Sequence, residues 1–229
     1  MDEELKIRLE KAYKILSMEG LAEDTSRGHI TLRTGDNRIY IKPWGIGFEE
    51  VTAESLLCLD SEGKLLEGKG KVHSEIPIHV EIFRKRRDVF SVVHVHPYHT
   101  ILLSAVFNGT IKIIGHSGMH FMGKIPFYDS LDLIRSKEQA IELAKVMGDR
   151  SFVLMKNHGI VTAGRTLEEA IITAIDFEKA AKDHLTISSF KKVTEVPADL
   201  AEMMSKKLFI PEQYKMMWDY YCRKVERHH

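Results

Sequence analysis

The chain has 229 residues, of which 44% are apolar and 29% charged, and its 33 basic residues balance 33 acidic ones. This length and composition are typical of a folded α/β protein with a substantial core and exclude wholesale disorder, while the zero net charge argues against non-specific nucleic-acid binding. Two distant cysteines, Cys58 and Cys222, make neither a disulfide scaffold nor a zinc knuckle, which predicts a reducing, cytoplasmic location.

The hydrophobic pattern predicts a mixture of helices and strands. In chain order, the predicted helices cover residues 5–16, 75–86, a segment from Pro97, 137–147 and 165–185, followed by two helices at about 198–227 that Pro211 separates. The predicted strands cover 29–33, 38–42, 56–59, 90–96, 152–156 and 160–163. Thr166 and Glu169 predict a capping box at the start of the long helix. We interpret residues 1–229 as one α/β domain with a mixed or antiparallel sheet, its core at about 5–185.

The segment from Phe90 to Thr110 contains no Asp, Glu, Lys or Arg. Its histidines would be costly in a lipid bilayer, so we interpret it as the buried centre of a globular fold and predict no membrane association. The acidic N-terminus, Met1 to Glu4, does not have the pattern of a signal peptide.

The most distinctive local motif is Val93-His94-Val95-His96-Pro97. Residues two apart on a strand point to the same face, about 6.6 Å apart, so two imidazoles placed in this way can converge on one ion. A pair of hydrogen-bonded core histidines is the alternative reading of this motif.

Two further residues bear on the choice between these readings. His158 lies at the tight turn Asn157-His158-Gly159, and Glu75 opens a helix. Each has an ordinary structural explanation, as a loop residue and as a partner of the helix dipole. Three neutral imidazole nitrogens and one carboxylate are nevertheless a common ligand set for Zn²⁺ or another divalent transition metal.

Several motifs together resemble the class II aldolase/adducin family over about residues 5–185. They occur in the family's order and spacing: Gly28-His29-Ile30-Thr31-Leu32-Arg33, Ser74-Glu75 with Ile78-His79, the run from Arg87 to His96, Asn157-His158-Gly159 and the run from Gly164 to Ala170.

The resemblance implies a three-layer αβα sandwich with a largely antiparallel central sheet. It also implies a divalent metal held by His94, His96 and His158, with Glu75 as the acid/base near or on the metal. Zn²⁺ is the first choice of ion, and Mn, Fe and Co are the alternatives. Family members are typically homotetramers with active sites between subunits, and they cleave or form carbon–carbon bonds in small molecules.

Three loops depart from the family's sugar-phosphate enzymes. Those enzymes typically carry Asn, Ser and Ser at the positions of His29, Trp44 and His73, where amides and small hydroxyls cradle a phosphate. The bulkier and more aromatic residues here favour a flat carboxylated ring, as in family decarboxylases that act on hydroxylated aromatic acids. Simple repacking of a shifted loop is the alternative.

The resulting prediction is a metal-dependent lyase that stabilises an enolate, foremost a decarboxylase of a hydroxylated aromatic carboxylic acid. The alternatives are an aldolase or epimerase acting on a sugar phosphate or related sugar, and a non-catalytic adducin-like interaction domain, which would be expected to lose the metal ligands. The predicted substrate-binding residues are His29, Trp44, His73, Ser74 and Tyr128.

Other residues keep more than one interpretation. Arg27, Arg33 or Lys42 are candidate anion binders, and His116 and His120 are candidate pocket residues. Tyr220 and Tyr221 either reach a neighbouring subunit's site or, for Tyr221, join Tyr214 and Trp218 in a packing stripe. The final pair His228-His229 is either native or the remnant of a purification tag.

Overall fold

The computed structural model describes residues 2–228, so Met1 and His229, the last residue of the terminal histidine pair, lie outside the described residues. This part of the chain forms eight strands, eight α-helices and one short 3-10 helix at Ala53–Ser55. The strands are β1 (His29–Arg33), β2 (Ile39–Ile41), β3 (Leu57–Leu59), β4 (Leu65–Glu67), β5 (Ser91–Val95), β6 (Phe127–Tyr128), β7 (Phe152–Met155) and β8 (Gly159–Gly164). The helices are α1 (Asp2–Met18), α2 (Ile76–Lys85), α3 (Tyr98–Val106), α4 (His116–Met119), α5 (Lys137–Met147), α6 (Leu167–Ile187), α7 (Ala198–Leu208) and α8 (Pro211–His228).

All eight strands form one sheet, in the order β4-β3-β2-β1-β5-β8-β7-β6. Every neighbouring pair is antiparallel except β6 and β7, which are parallel. The prediction of a largely antiparallel sheet is therefore confirmed. The sequence pattern missed β4, β6 and α4, because β4 is an exposed edge strand of three residues and the other two are too short to show a period.

Helices cover both faces of this sheet, which confirms the three-layer αβα sandwich. One core contains residues of α1, α3, α4, α6, α7 and α8 together with the strand residues that face them. The other core lies between the opposite face and α2 and α5. Strand β5 contributes to both, with Val93 and Val95 on the first side and Val92 on the second. The assignment of residues 1–229 to a single domain stays a prediction.

The helix ends and the C-terminal region refine the sequence interpretation. Thr166 caps α6 by accepting a hydrogen bond from the amide of Glu169, but the Glu169 carboxylate accepts from the amide of Arg165, so the capping box is only half formed. In α8, Tyr214, Trp218 and Tyr221 are all buried in the core, which confirms the packing stripe, whereas Tyr220 is exposed. No helix within residues 2–228 combines the length and apolarity needed to span a bilayer.

The junction of β5 and α3 is fixed by Glu178, which extends from α6. Its two carboxylate oxygens accept hydrogen bonds from the backbone amides of His99 and Thr100 at 2.9 and 2.8 Å. The Thr100 hydroxyl and the His99 ring also bind it, both at 2.7 Å. A carboxylate at this position satisfies amides that a helix N-terminus otherwise leaves unpaired, and it complements the helix dipole.

We expect Glu178→Ala to lower the free energy of unfolding by about 3 kcal/mol, because several donors at the start of α3 lose a charged acceptor in a largely buried position. Urea denaturation followed by circular dichroism measures this change. The control is Glu202→Ala, which removes only an exposed ion pair with Lys206 on α7 and is expected to have little effect. Equal midpoints for the two variants would contradict the proposed role of Glu178.

Candidate metal centre

The three predicted metal ligands and the predicted acid/base, Glu75, converge at one end of the central strand. His94 is on β5 and His96 directly follows it, His158 lies between β7 and β8, and Glu75 immediately precedes α2. One ligand atom from each side chain lies within 4.8 Å of the others. Three separate segments thus contribute to one cluster.

A tight turn brings His158 into this cluster. Asn157 and Gly159 both have positive φ angles, of 48° and 152°. A Cβ atom at position 159 would lie 2.3 Å from the carbonyl oxygen of Val95, so only glycine allows the turn to pack this closely on the end of β5. The His158 and His96 rings then lie 5.0 Å apart between centroids.

Hydrogen bonds define which nitrogen each of two imidazoles presents to the cluster. The Nδ1 of His94 lies 3.1 Å from the carbonyl oxygen of Ile160, and the Nδ1 of His96 contacts the carboxylate of Asp24. Both partners are acceptors, so both Nδ1 atoms carry a hydrogen, and an imidazole whose single hydrogen is on Nδ1 presents a lone pair at Nε2. These two Nε2 atoms lie only 3.0 Å apart.

This arrangement fits a divalent cation. Two lone pairs facing each other at 3.0 Å repel unless a positive ion lies between them. The Nε2 atoms of His94 and His158 lie 3.7 and 3.9 Å from the oxygens of Glu75. Ligands about 2.1 Å from a tetrahedral Zn²⁺ are about 3.4 Å from one another, so the observed separations bracket that value.

Glu75 is held in place on its other side by the backbone. Its Oε1 accepts a hydrogen bond of 3.0 Å from the amide of Ile134. Burial by itself raises the pKa of Glu75, but the contact with His94 and this amide outweigh it and lower the pKa to about 2. Glu75 is therefore a carboxylate, as a metal ligand or a proton acceptor must be.

Three members of the cluster, Glu75, His96 and His158, line a cavity of about 760 Å³, and His94 lies buried behind them. Four of the five predicted substrate-binding residues line it, namely His29, Trp44, His73 and Ser74. Trp44 is 58% exposed, and the Lys71 ammonium lies over its ring, 5.3 Å from the ring centre. Trp44 therefore adds an aromatic ring to the cavity wall.

Several other predicted pocket residues lie elsewhere. Tyr128 is on β6, buried in the core beside α5, and is not among the residues that line this cavity. His120 binds the Ser151 hydroxyl at 2.9 Å and lines a different cavity, and His116 is exposed at the start of α4. None of these three residues lines the cavity beside the candidate metal ligands, so none is part of the proposed site.

Of the three candidate anion binders, only Arg27 lines the cavity. Arg33 is at the opposite end of β1, where its guanidinium donates to three backbone carbonyls. Lys42 is fully buried, and its ammonium donates to two backbone carbonyls at 2.8 Å and to His73. Burial lowers the pKa of Lys42 to about 8. The latter two cations have structural partners and are not free for a substrate.

Sequence reasoning missed Asp24, which orients His96. It also missed the segment at 133–135, where Leu133 and Arg135 line the cavity and the amide between them binds Glu75. No spacing rule connects these positions to the histidine pair, since the contacts form only when distant loops meet. An acidic residue shortly before the Gly28-His29 motif was the only available signal for Asp24.

Comparisons with known proteins agree with this geometry. Residues 8–185 match the family model described as "Class II Aldolase and Adducin N-terminal domain". The chain is 32% identical over 207 residues to a 3,4-dihydroxyphthalate decarboxylase of Arthrobacter keyseri, covering 84% of this chain and 83% of that protein. It is 32% identical over 157 residues to an L-fuculose phosphate aldolase of Methanocaldococcus jannaschii, covering 69% and 83%. An aldolase II superfamily protein from Pseudomonas syringae has the same fold, with a TM-score of 0.89 at 23% identity and coverage of 99% and 94%.

We expect the double variant His94→Ala plus His96→Ala to lose the bound divalent ion, because both facing lone pairs are removed. Elemental analysis of purified protein after dialysis measures the ion, and His116→Ala, an exposed histidine outside the cluster, serves as control. Unchanged metal content in the double variant would contradict this site.

Asp24→Asn is expected to weaken binding of the divalent ion about tenfold, at the lower end of the effect of residues that orient a metal ligand. An amide still accepts a hydrogen bond from His96 but lacks the negative charge. Competition with a chelator of known affinity measures the change. Asp129→Asn, which alters an exposed partner of Lys156, should bind the ion as the wild type does; an equal loss in both variants would refute a specific role of Asp24.

Proposed function

The chain belongs to the class II aldolase and adducin family, and we propose that within this family it is a metal-dependent lyase that decarboxylates a hydroxylated aromatic carboxylic acid. The observation that carries the proposal is the pairing of the Glu75, His94, His96 and His158 cluster with a cavity wall formed by aromatic and imidazole rings. The 32% identity to a 3,4-dihydroxyphthalate decarboxylase supports the same choice.

His94, His96 and His158 are proposed to hold one divalent ion, with Glu75 on or beside it, and Zn²⁺ is the first candidate because nitrogen and carboxylate ligands at these separations suit it. When bound, the ion supplies a Lewis acid that polarises substrate oxygens and stabilises negative charge left by the breaking carbon–carbon bond.

The proposed binding mode follows from the cavity wall. A flat ring can lie against the exposed face of Trp44, with His29 and His73 on the neighbouring wall. Arg27 at the same cavity can pair with a carboxylate. Ser74, next to Glu75, adds a hydroxyl at the end nearest the metal ligands.

Glu75 is the proposed catalytic acid/base. In decarboxylation the bond between the ring carbon and the carboxylate breaks, its electron pair stays on the ring carbon, and carbon dioxide leaves. Glu75 relays a proton from water to that carbon, so a carbon–hydrogen bond replaces the lost bond, and the hydroxide left from the water is neutralised by the buffered solvent. The Ile134 amide and the neighbouring imidazoles hold the carboxylate in position for this transfer.

Cleavage of a sugar phosphate is the second candidate function. The same metal ligands serve aldol cleavage, and the chain is 32% identical to an L-fuculose phosphate aldolase. Arg27 and Arg135 at the cavity offer positive charge for a phosphate. The bulky side chains of His29, Trp44 and His73 favour the aromatic acid instead. A purely structural, adducin-like role does not account for the retained ligand cluster.

An assay that separates the two reactions tests the proposal. Purified protein loaded with Zn²⁺, and separately with Mn²⁺, is incubated with a panel of hydroxylated benzene dicarboxylates, and carbon dioxide release is followed. In parallel, ketose 1-phosphates are tested for aldehyde release. We expect carbon dioxide from at least one hydroxylated aromatic acid; activity only with the phosphates would overturn the proposal.

Glu75→Gln is expected to lower kcat on that acid by about 100-fold or more, because the proton donor is lost while the side chain keeps its size. The matched control is Glu49→Gln, an exposed glutamate in the loop beside Trp44, which should retain the wild-type rate. A wild-type kcat in Glu75→Gln would exclude Glu75 as the acid/base.

We also propose, from the family resemblance, a homotetramer with active sites between subunits and a cytoplasmic location. Light scattering coupled to size exclusion measures the assembly directly. A monomer with full activity would rule out a requirement for residues such as Tyr220 from a neighbouring subunit.

A further inference from the structure

A buried hydrogen-bond chain of three residues leads from the cavity wall into the core. The Nδ1 of His29 lies 2.6 Å from the Nε2 of His79, and the Nδ1 of His79 lies 2.7 Å from the hydroxyl oxygen of Thr31. All three are almost completely buried, with exposures of 1%, 0% and 0% in the order His29, His79, Thr31. Only His29 lines the cavity. None of the three belongs to the candidate metal ligands.

Both imidazoles of this hydrogen-bond chain, those of His29 and His79, are neutral. Both rings are almost completely buried and form hydrogen bonds to each other and to the Thr31 hydroxyl, with no carboxylate among these partners, so a positive charge on either ring would be buried without a counter-ion. The groups that face them include His73 and His94, whose ring centroids lie 4.6 and 5.2 Å from that of His29. A neutral imidazole has one hydrogen, so each ring donates through one nitrogen and accepts through the other.

The hydrogen bonds of this hydrogen-bond chain can run in two directions, because each neutral ring has a single hydrogen to donate. In one, Thr31 donates to His79, His79 donates to His29, and the Nε2 of His29 carries a hydrogen towards the cavity. In the other, His29 donates to His79 and His79 donates to Thr31, which frees the Thr31 hydroxyl to donate to the carbonyl of Val92, 3.4 Å away. Within the protein the second direction forms one more hydrogen bond, the one from Thr31 to Val92, and it leaves a lone pair on the Nε2 of His29.

We propose that Thr31 and His79 are positioning residues that present the Nε2 of His29 to the cavity as a hydrogen-bond acceptor, so that the substrate is one whose hydroxyl donates to this atom. This inference rests on the proposed function and assigns the atom that receives the ring hydroxyl of the substrate, the Nε2 of His29. An ionised carboxylate or phosphate has no hydrogen to donate and is disfavoured at this position. His73 does not fulfil the same role, because its Nε2 already accepts from the Lys42 ammonium at 3.2 Å.

The tautomer of His29 is the direct test. Nitrogen-15 NMR of histidine-labelled, metal-loaded protein distinguishes a ring protonated at Nδ1 from one protonated at Nε2, and the spectrum of His29→Gln identifies the His29 signals. We expect protonation at Nδ1 in the wild type and a mixture of tautomers in Thr31→Val, which keeps the side-chain shape but removes the acceptor. Protonation of His29 at Nε2 in the wild type would overturn the proposal, as would an unchanged tautomer in Thr31→Val.

Thr162→Val is the matched control. Thr162 is also fully buried, on strand β8. Its hydroxyl donates to the carbonyl of Ala170, which is not part of the hydrogen-bond chain of His29, His79 and Thr31. Its loss should leave the His29 tautomer unchanged. A shift in both variants would show that any buried hydroxyl has this effect, and the positioning role of Thr31 would be refuted.

A binding measurement tests whether His29 accepts a hydrogen bond from the ligand, and it needs no turnover. Because the wild type itself gives a result, the test does not depend on the folding of a single variant. Titration calorimetry compares protocatechuate, which has free ring hydroxyls, with its dimethyl ether veratrate. We expect the wild type to bind protocatechuate about tenfold more tightly, and the ratio to fall towards one in His29→Phe and in His79→Phe. Equal affinities in the wild type would overturn the acceptor role. Absence of carbon dioxide release with intact discrimination would instead refute only the proposed reaction.

Discussion

The burial of β5 at the centre of the sheet is the constraint on which the rest of the candidate site depends. Both faces of this strand pack against helices, so its register with β1 and β8 is tightly fixed. That register places His29 opposite His94 and aligns β8 so that its preceding turn meets the end of β5. A slip of one residue would turn His94 away from its neighbours, so core packing and ligand geometry are determined together.

The sequence predicts those features that arise from local pattern. The bounds of α5 and β1, the shared face of His94 and His96, and the break at Pro211 follow from periodicity, strand geometry and proline chemistry. The convergence of Glu75 and His158 on that pair came from the family resemblance, because no local rule joins segments so far apart.

Other features depend on which distant loops meet, and these could not be predicted. Asp24 reaches His96 through a loop without regular structure, and Lys42 is enclosed by carbonyls that no pattern assigns to it. The family resemblance predicts Tyr128 in the cavity, yet Tyr128, on the two-residue strand β6, is buried in the core that contains α2 and α5. Side-chain direction in such short elements is set by tertiary packing, for which sequence period carries no information.

Glu178 links unfolding of the helical layer to the backbone that carries His94 and His96. The helix that it caps begins two residues after His96, and Glu178 itself extends from α6, which packs against both α3 and β5. Opening of the helical layer would therefore release the backbone that carries the histidine pair, so we expect the candidate metal centre to unfold together with this layer. An ion bound at the candidate centre would then stabilise a helix that contributes no ligand to it, and its loss would accompany unfolding of that layer in one cooperative event.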